Sequence, residues 1–324
     1  MKPPDNTFKA VFLDYDNLYT DSLDTQCLES VFTQIECYSY SEPAQIIDRL
    51  RGAQVAIVGD MTINARIFAA SPSLKLLLVA ATGTDNIDLV AARQWGVTVC
   101  HCRDYATWSL AQHAFSLLLT LTNNIVNYQT LVASGAWQQA SSFCLPQFPL
   151  IQLAGKTLGI VGYGASGQRM AEIAKSFGMN VLIAALPGRP SDDTRIELDI
   201  LLPQVDVISL HCPLTEQTRH LLNGHRLAML KKEALLINVA RGAIIDERSL
   251  ADALKNGQLA GAGLDVLGHE PPSAEHPLLQ GDIPHLVITP HIAWSSRAVR
   301  QEVLQQLADN ARAFRAGKPI RVVS

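Results

Sequence analysis

Three segments carry the side chains whose chemistry stands out: Asn238-Val239-Ala240-Arg241-Gly242, Asp265 followed by His269-Glu270-Pro271-Pro272, and Thr289-Pro290-His291-Ile292-Ala293-Trp294. An arginine's planar fork binds a carboxylate through paired bonds and polarises a neighbouring carbonyl, a task open to Arg241. Histidine titrates where a proton can be handed to an oxygen as negative charge develops on it, which suits His291. A carboxylate bonded to that imidazole, such as Glu270, would orient it and hold it protonated. Together these are the groups needed to reduce a 2-keto acid by hydride transfer. Taken singly, each has an ordinary reading: Arg241 as a surface ion-pair partner, Glu270 as a loop carboxylate, His291 as a satisfied strand-end histidine. Trp294 either walls such a pocket or packs between domains.

Hydride chemistry needs a carrier, and Leu158-Gly159-Ile160-Val161-Gly162-Tyr163-Gly164-Ala165-Ser166-Gly167 is an apolar strand running into G-x-G-x-x-G and then a helix-like stretch. That context gives the glycines a mechanism. Gly162 allows the turn, Gly164 the approach of a pyrophosphate and Gly167 close helix packing, while the helix N-terminus offers free N–H groups to phosphate. The confirming acid expected roughly 20 residues on is absent, and Ala185 stands in its place. Without that carboxylate nothing bonds the ribose hydroxyls or repels a 2′-phosphate. Arg189 follows in a Pro-Gly-Arg-Pro turn, as a phosphate ligand or as a solvated loop residue, so both NAD and NADP stay open.

Elements able to position these groups are visible as short apolar runs alternating with helix-like segments, the pattern of βαβ units and parallel sheets. A first series has strands at Ala10–Leu13, Val55–Val58, Leu76–Ala80 and Val97–Cys100. A second has Thr157–Val161, Asn180–Ala184, Val207–Leu210, Ala234–Asn238, Gly261–Asp265 and Leu286–Thr289, about six strands, as a complete dinucleotide-binding sheet requires. The expected architecture is α/β, with two Rossmann-like doubly wound domains and a cleft between them. Thr107–Leu121 reads as a linking helix, and Asn127–Pro149 as the least regular stretch. Ser295–Arg315 has apolar Val299, Val303, Leu307 and Phe314 at helical spacing and is free to pack back on the first domain. The expected division is therefore a discontinuous substrate domain, 1–104 with 292–324, and a dinucleotide-binding domain, 105–291.

The chain has 324 residues, 48% hydrophobic and 17% charged, enough for two cores and too apolar for disorder. A net charge of -4 and the lack of a Lys/Arg-rich run argue against nucleic acid and anionic membranes. The first residues lack the apolar region of a signal peptide, and the longest apolar runs, Lys75–Ala81 and Phe115–Leu121, are too short to span a bilayer, so the expected compartment is the cytoplasm. Six cysteines show no paired framework, and Cys100-His101-Cys102 lacks the second ligand pair of a structural zinc site, so no metal is expected.

With these residues in view, the sequence resembles the D-isomer-specific 2-hydroxyacid dehydrogenase family over nearly its full length. The likeness includes Ala81-Thr82-Gly83-Thr84-Asp85-Asn86-Ile87-Asp88, Tyr105-Ala106-Thr107, Ser109-Leu110-Ala111-Gln112-His113, Gly155-Lys156-Thr157 and the three chemistry segments. Within the family, the Pro-His-Ile-Ala-Trp segment and Ala185 resemble the glycerate dehydrogenase, or hydroxypyruvate reductase, group. The resemblance implies Arg241 on the substrate, His291 as acid/base with Glu270 as its partner, and the backbone of Thr82 and Gly83 on the substrate carboxylate. It also implies that Asp265 and the Ala240 backbone orient the nicotinamide, that Thr107 and the Cys212-Pro213 turn line the cofactor groove, and that the protein is a homodimer. Ala165 and Ser166 complete the phosphate loop. His101, Asp104 and Trp108 depart from the family pattern, which leaves substrate choice open between hydroxypyruvate, glyoxylate and similar short acids. Two other readings share the fold: an NAD(H)-sensing corepressor-like scaffold, and a dehydrogenase of another small anion such as formate or phosphite.

Overall fold

The computed structural model describes residues 8–188, 194–281 and 283–324, which fall into two units: one runs to Tyr105 and resumes from Trp294 to Ser324, and the other is Ala106–Ala293. The first unit holds a parallel sheet of β1 (Lys9–Phe12), β2 (Gln34–Cys37), β3 (Val55–Val58), β4 (Leu76–Val79) and β5 (Thr98–His101), ordered β2-β1-β3-β4-β5. Alternate residues go to opposite faces. Phe12, Ile57 and Leu78 enter one apolar cluster, while Val11, Val58 and Val79 enter the other. Both faces are covered, so these strands read as unbroken apolar runs. Strand β2 is an addition to the expected set: its Gln-Ile-Glu-Cys sequence lies at a sheet edge, half in solvent, and has no apolar run to betray it. The helix Arg297–Arg315 drives Val303, Leu304, Leu307, Ala308 and Ala311 into the Phe12 cluster, where Leu18, Leu28, Val31 and Phe32 also pack.

The second unit is a seven-stranded parallel sheet of β6 (Thr157–Val161), β7 (Asn180–Ala185), β8 (Ile196–Glu197), β9 (Val207–Leu210), β10 (Leu235–Asn238), β11 (Gly261–Leu264) and β12 (Leu286–Ile288). Its order is β12-β11-β10-β9-β6-β7-β8. Six of these strands were expected. The seventh, β8, pairs two residues with Ala184 and Ala185, too short to give a periodic signal. The order reverses between β6 and β9, which opens a crevice at the strands' carboxyl ends, where sheets of this kind bind ligands.

One face of this sheet is covered by the helix Thr107–Thr122, whose Ala114, Leu117, Leu118 and Leu121 meet Leu158, Ile160, Leu235 and Ile237. Each leucine so buried contributes about 1.5–3 kcal/mol relative to exposure. The stretch expected to be irregular, Asn127–Pro149, instead begins inside a helix, Ile125–Ala133. That helix, Ile-Val-Asn-Tyr-Gln-Thr-Leu-Val-Ala, has no buried residue. Among the described residues, no helix is long and apolar enough to cross a membrane, and no group of three or more His, Cys, Asp or Glu is placed to hold a metal ion.

Candidate active site

Strands β10, β11 and β12 are neighbours and parallel, so the residues that follow them emerge along one edge. After β10 the chain turns on Asn238. Its buried amide donates to the Arg241 carbonyl at 2.9 Å and accepts from the Ala240 N–H at 3.0 Å, and Arg241 Nη1 donates back to the Ala240 carbonyl at 3.0 Å. Gly242 then presses on the loop after β11: a Cβ there would lie 1.9 Å from the Leu267 carbonyl carbon and 2.2 Å from Gly268 N. Only a glycine permits that approach, which brings the arginine turn against the loop that bears Glu270.

That loop is tied at several points. Leu267 N–H donates to Glu270 Oε1 at 2.7 Å, and Gly268 N–H donates to Glu247 Oε1 at 2.7 Å. Glu247 Oε2 in turn meets Nε2 of the buried His276 at 3.1 Å. The free oxygen of Glu270, Oε2, lies 2.6 Å from His291 Nδ1, so the imidazole donates through Nδ1. Burial works to lower the His291 pKa and the Arg241 charge adds to this, but the hydrogen bond and charge of Glu270, helped by Asp265, outweigh both and raise it.

His291 sits in a left-handed backbone conformation, φ 54°, which strains a residue with a side chain. Asp265 explains why it persists. Its carbonyl accepts from His291 N–H at 2.8 Å, and its carboxylate accepts from Ile292 N–H at 3.0 Å and Ala293 N–H at 2.8 Å, so three successive amides fold around one residue. Thr289 Oγ1 also donates to Asp265 Oδ1 at 2.5 Å. Burial alone would raise this carboxyl's pKa; the bonds from His113, Thr289, Ala293 and Ile292 together lower it, so a wholly buried group stays ionised.

Across the reversal point lies the glycine loop. Gly162 has φ +96°, and a Cβ on it would meet Cys212 N and the His211 carbonyl carbon, each at 2.5 Å. A Cβ on Gly167 would meet the Gly162 carbonyl at 2.2 Å, whereas one on Gly164 would meet nothing within 4 Å. Two glycines are thus demanded by packing, and the third leaves a gap beside the first turn of the helix Ala165–Ser176, where Ala165 and Ser166 present amides. Cys212, buried behind the loop with its thiol pushed up to about 11 by burial, and Pro213 follow β9 on the same edge. These residues fit the pyrophosphate of a dinucleotide.

The remaining expected residues are placed as follows. Thr107 opens the helix Thr107–Thr122, and Ala185 ends β7 beside Glu197 of β8. Arg189 lies outside the described residues. Thr82, Gly83 and Trp294 belong to the first unit, where the Thr82 carbonyl lies 2.8 Å from His101 Nδ1 and Trp294 packs on the Phe12 cluster. Trp108 is 66% exposed, with the Arg169 guanidinium 4.3 Å from its ring centre. The sequence reading did not single out Asn238 as a turn-former, nor Glu247 and His276 as braces. Only Gly242, a glycine directly after the candidate arginine, hinted at that packing.

Residues 115–293 match the family model for the NAD binding domain of D-isomer specific 2-hydroxyacid dehydrogenases. The chain is 41% identical to a glycerate dehydrogenase of Methylorubrum extorquens, the match covering 98% of this chain and 99% of that one. It is 34% identical to a hydroxypyruvate reductase of Blautia hydrogenotrophica, with 98% and 99% covered. The crystal structure of the TT0316 protein from Thermus thermophilus superposes with a TM-score of 0.84 at 33% identity, covering 98% of this chain and 100% of that one. A glycine loop at the reversal of one sheet, an imidazole–carboxylate pair on the loops beyond it and a near full-length likeness to these proteins lead to one conclusion: the chain belongs to the D-isomer specific 2-hydroxyacid dehydrogenases, oxidoreductases that move hydride between a nicotinamide cofactor and a 2-hydroxy acid.

Proposed function

We propose that this enzyme interconverts a short 2-keto acid, hydroxypyruvate or glyoxylate, and its D-2-hydroxy acid, with Arg241, Glu270 and His291 as the working residues. The observation that carries the reading is the 2.6 Å His291–Glu270 pair standing where the charge of Arg241 reaches it. Arg241 binds the substrate carboxylate and polarises the carbonyl. His291, protonated and held through Nδ1, gives its Nε2 proton to the carbonyl oxygen in reduction and takes it back in oxidation. Glu270 fixes the ring and favours its charged form. Asp265 shapes the turn beneath it and, with the Ala240 backbone, orients the nicotinamide. When bound, that cofactor supplies or accepts the hydride. The names of the relatives, a glycerate dehydrogenase and a hydroxypyruvate reductase, support the substrate class.

The substrate domain is the unit that carries Thr82, Gly83 and Trp294. The glycine loop with Ala165, Ser166, Thr107, Cys212 and Pro213 holds the dinucleotide, NAD or NADP, because Ala185 offers no carboxylate to exclude a 2′-phosphate. Exposed Ile125, Val126, Val132, Trp137, Phe143 and Leu150 support a homodimer formed through this stretch. Free cysteines throughout support a cytoplasmic setting. A panel of 2-keto acids with NADH and NADPH tests the assignment. Turnover is expected on the short acids and should fall by about two orders of magnitude or more in Arg241→Ala and in His291→Ala. Near wild-type rates in both variants would overturn it.

A further inference from the structure

On the helix Thr107–Thr122, Ser109 and His113 are four residues apart and therefore share a face. Ser109 Oγ donates to the Ala293 carbonyl at 2.5 Å. His113 Nε2 lies 2.8 Å from Thr289 Oγ1 and 3.3 Å from Asp265 Oδ1. The single hydroxyl hydrogen of Thr289 is already given to Asp265, so the contact with His113 requires the imidazole to donate through Nε2. The two side chains thus grip both ends of the 289–293 segment, whose middle residue is the strained His291. The helix that carries them is anchored by Ala114, Leu117, Leu118 and Leu121 in the core of its own unit.

We propose that Ser109 and His113 are positioning residues which, acting through Thr289, Asp265 and Ala293, hold the His291 turn in the conformation that meets Glu270. The proposal rests on His291 being the acid/base. Both bond to the segment itself, one step removed from the His291 ring. Released at one end, the turn has a less strained backbone available to it, and the imidazole loses its fixed distance from the carboxylate. A displacement of about 1 Å at a reacting group costs on the order of a hundredfold in rate, so a partial release should cost about tenfold or more.

The test uses three variants of the full chain: His113→Leu removes the donor, His113→Gln returns an amide N–H near the position of Nε2, and Ser109→Ala removes the second grip. Histidine nitrogen NMR on the 15N-labelled protein reads the His291 ring directly, with His291→Gln identifying its signals. Above its pKa, where the ring is neutral, the wild type should show a single Nδ1–H form, and below it the imidazolium protonated on both nitrogens. In His113→Leu the neutral ring should become a mixture of forms, with kcat down about tenfold and the dissociation constant for NADH or NADPH changed far less, since the glycine loop is untouched. His113→Gln should restore both readouts, and Ser109→Ala should show the same change in smaller degree. If His113→Leu fails to fold, Ser109→Ala carries the test.

An unchanged His291 signature in the folded variants overturns the proposal, as does a His113→Gln variant no better than His113→Leu. A wild type without turnover on any 2-keto acid would sink the proposed function, whereas the ring signature would still report on the clamp.

Discussion

Gly242→Ala probes whether the arginine turn and the Glu270 loop work as one packed unit. The added methyl would sit 1.9 Å from the Leu267 carbonyl carbon, 2.2 Å from Gly268 N and 2.3 Å from the Leu267 carbonyl oxygen, all backbone atoms with no side chain to swing aside. To reach 3.4 Å, where ordinary contact begins, the two segments must part by about 1.5 Å. Leu267 N–H is the donor to Glu270 Oε1, so the displacement passes directly to the carboxylate that holds His291. Misplacing a reacting group by about 1 Å costs on the order of a hundredfold, so kcat should fall about two orders of magnitude. Overpacking of this kind also costs roughly 1–3 kcal/mol of stability, so the melting temperature should drop without loss of the fold. The assay is steady-state reduction of a short 2-keto acid at saturating cofactor, with fluorescence titration of the reduced cofactor alongside. The glycine loop follows β6, beyond β9, and is not part of this contact, so cofactor affinity should fall far less than kcat, the loss confined to the Ala240 contact with the nicotinamide. A variant with kcat within about threefold of wild type would refute the reasoning.

Two further outcomes follow from the same geometry. Reduction needs the imidazolium, so its rate holds at low pH and falls as pH rises through the elevated His291 pKa, while oxidation rises over the same interval. Glu270→Gln leaves only the lowering influences of burial and Arg241 dominant, so both limbs should move to lower pH in kcat/KM profiles, and limbs that stay put would contradict the pairing. Gly167→Ala places a Cβ 2.2 Å from the Gly162 carbonyl and should weaken cofactor binding by at least about tenfold in a direct titration; unchanged affinity would remove the loop from the dinucleotide site.

What was legible in the sequence followed physical pattern. Strands buried on both faces, such as Val55–Val58 and Leu235–Asn238, declare themselves as apolar runs, and a glycine loop between a strand and a helix names its own partner chemistry. Arg241, Glu270 and His291 were visible as residue types after strands and as family motifs. Their 2.6 Å meeting was not, since Glu270 and His291 stand 21 residues apart on different loops. Edge strands β2 and β8 were missed because half-exposed or very short segments carry no periodic signal. The braces were missed for a different reason. Glu247 reads as an ordinary first-turn helix acid, and only the folded chain shows it holding Gly268 and His276.

The opposed influences on His291 have a consequence for catalysis. Glu270 favours the imidazolium, and Arg241 opposes it at a distance that still counts. In the proposed mechanism the first event on substrate arrival is the pairing of its carboxylate with Arg241, which neutralises the cation acting against the histidine. The influence of Glu270 is unaffected, so the ring should be more firmly protonated with substrate in place than without it. The alkaline limb of reduction must therefore lie at higher pH in kcat, which reports the substrate complex, than in kcat/KM, which reports the enzyme before substrate binds. In Arg241→Lys, where a compact ammonium replaces the fork, residual activity should keep the separation, because a charge is still there to be neutralised. Coincident limbs in the wild type would mean that the substrate carboxylate pairs elsewhere, and the role assigned to Arg241 would fall with them.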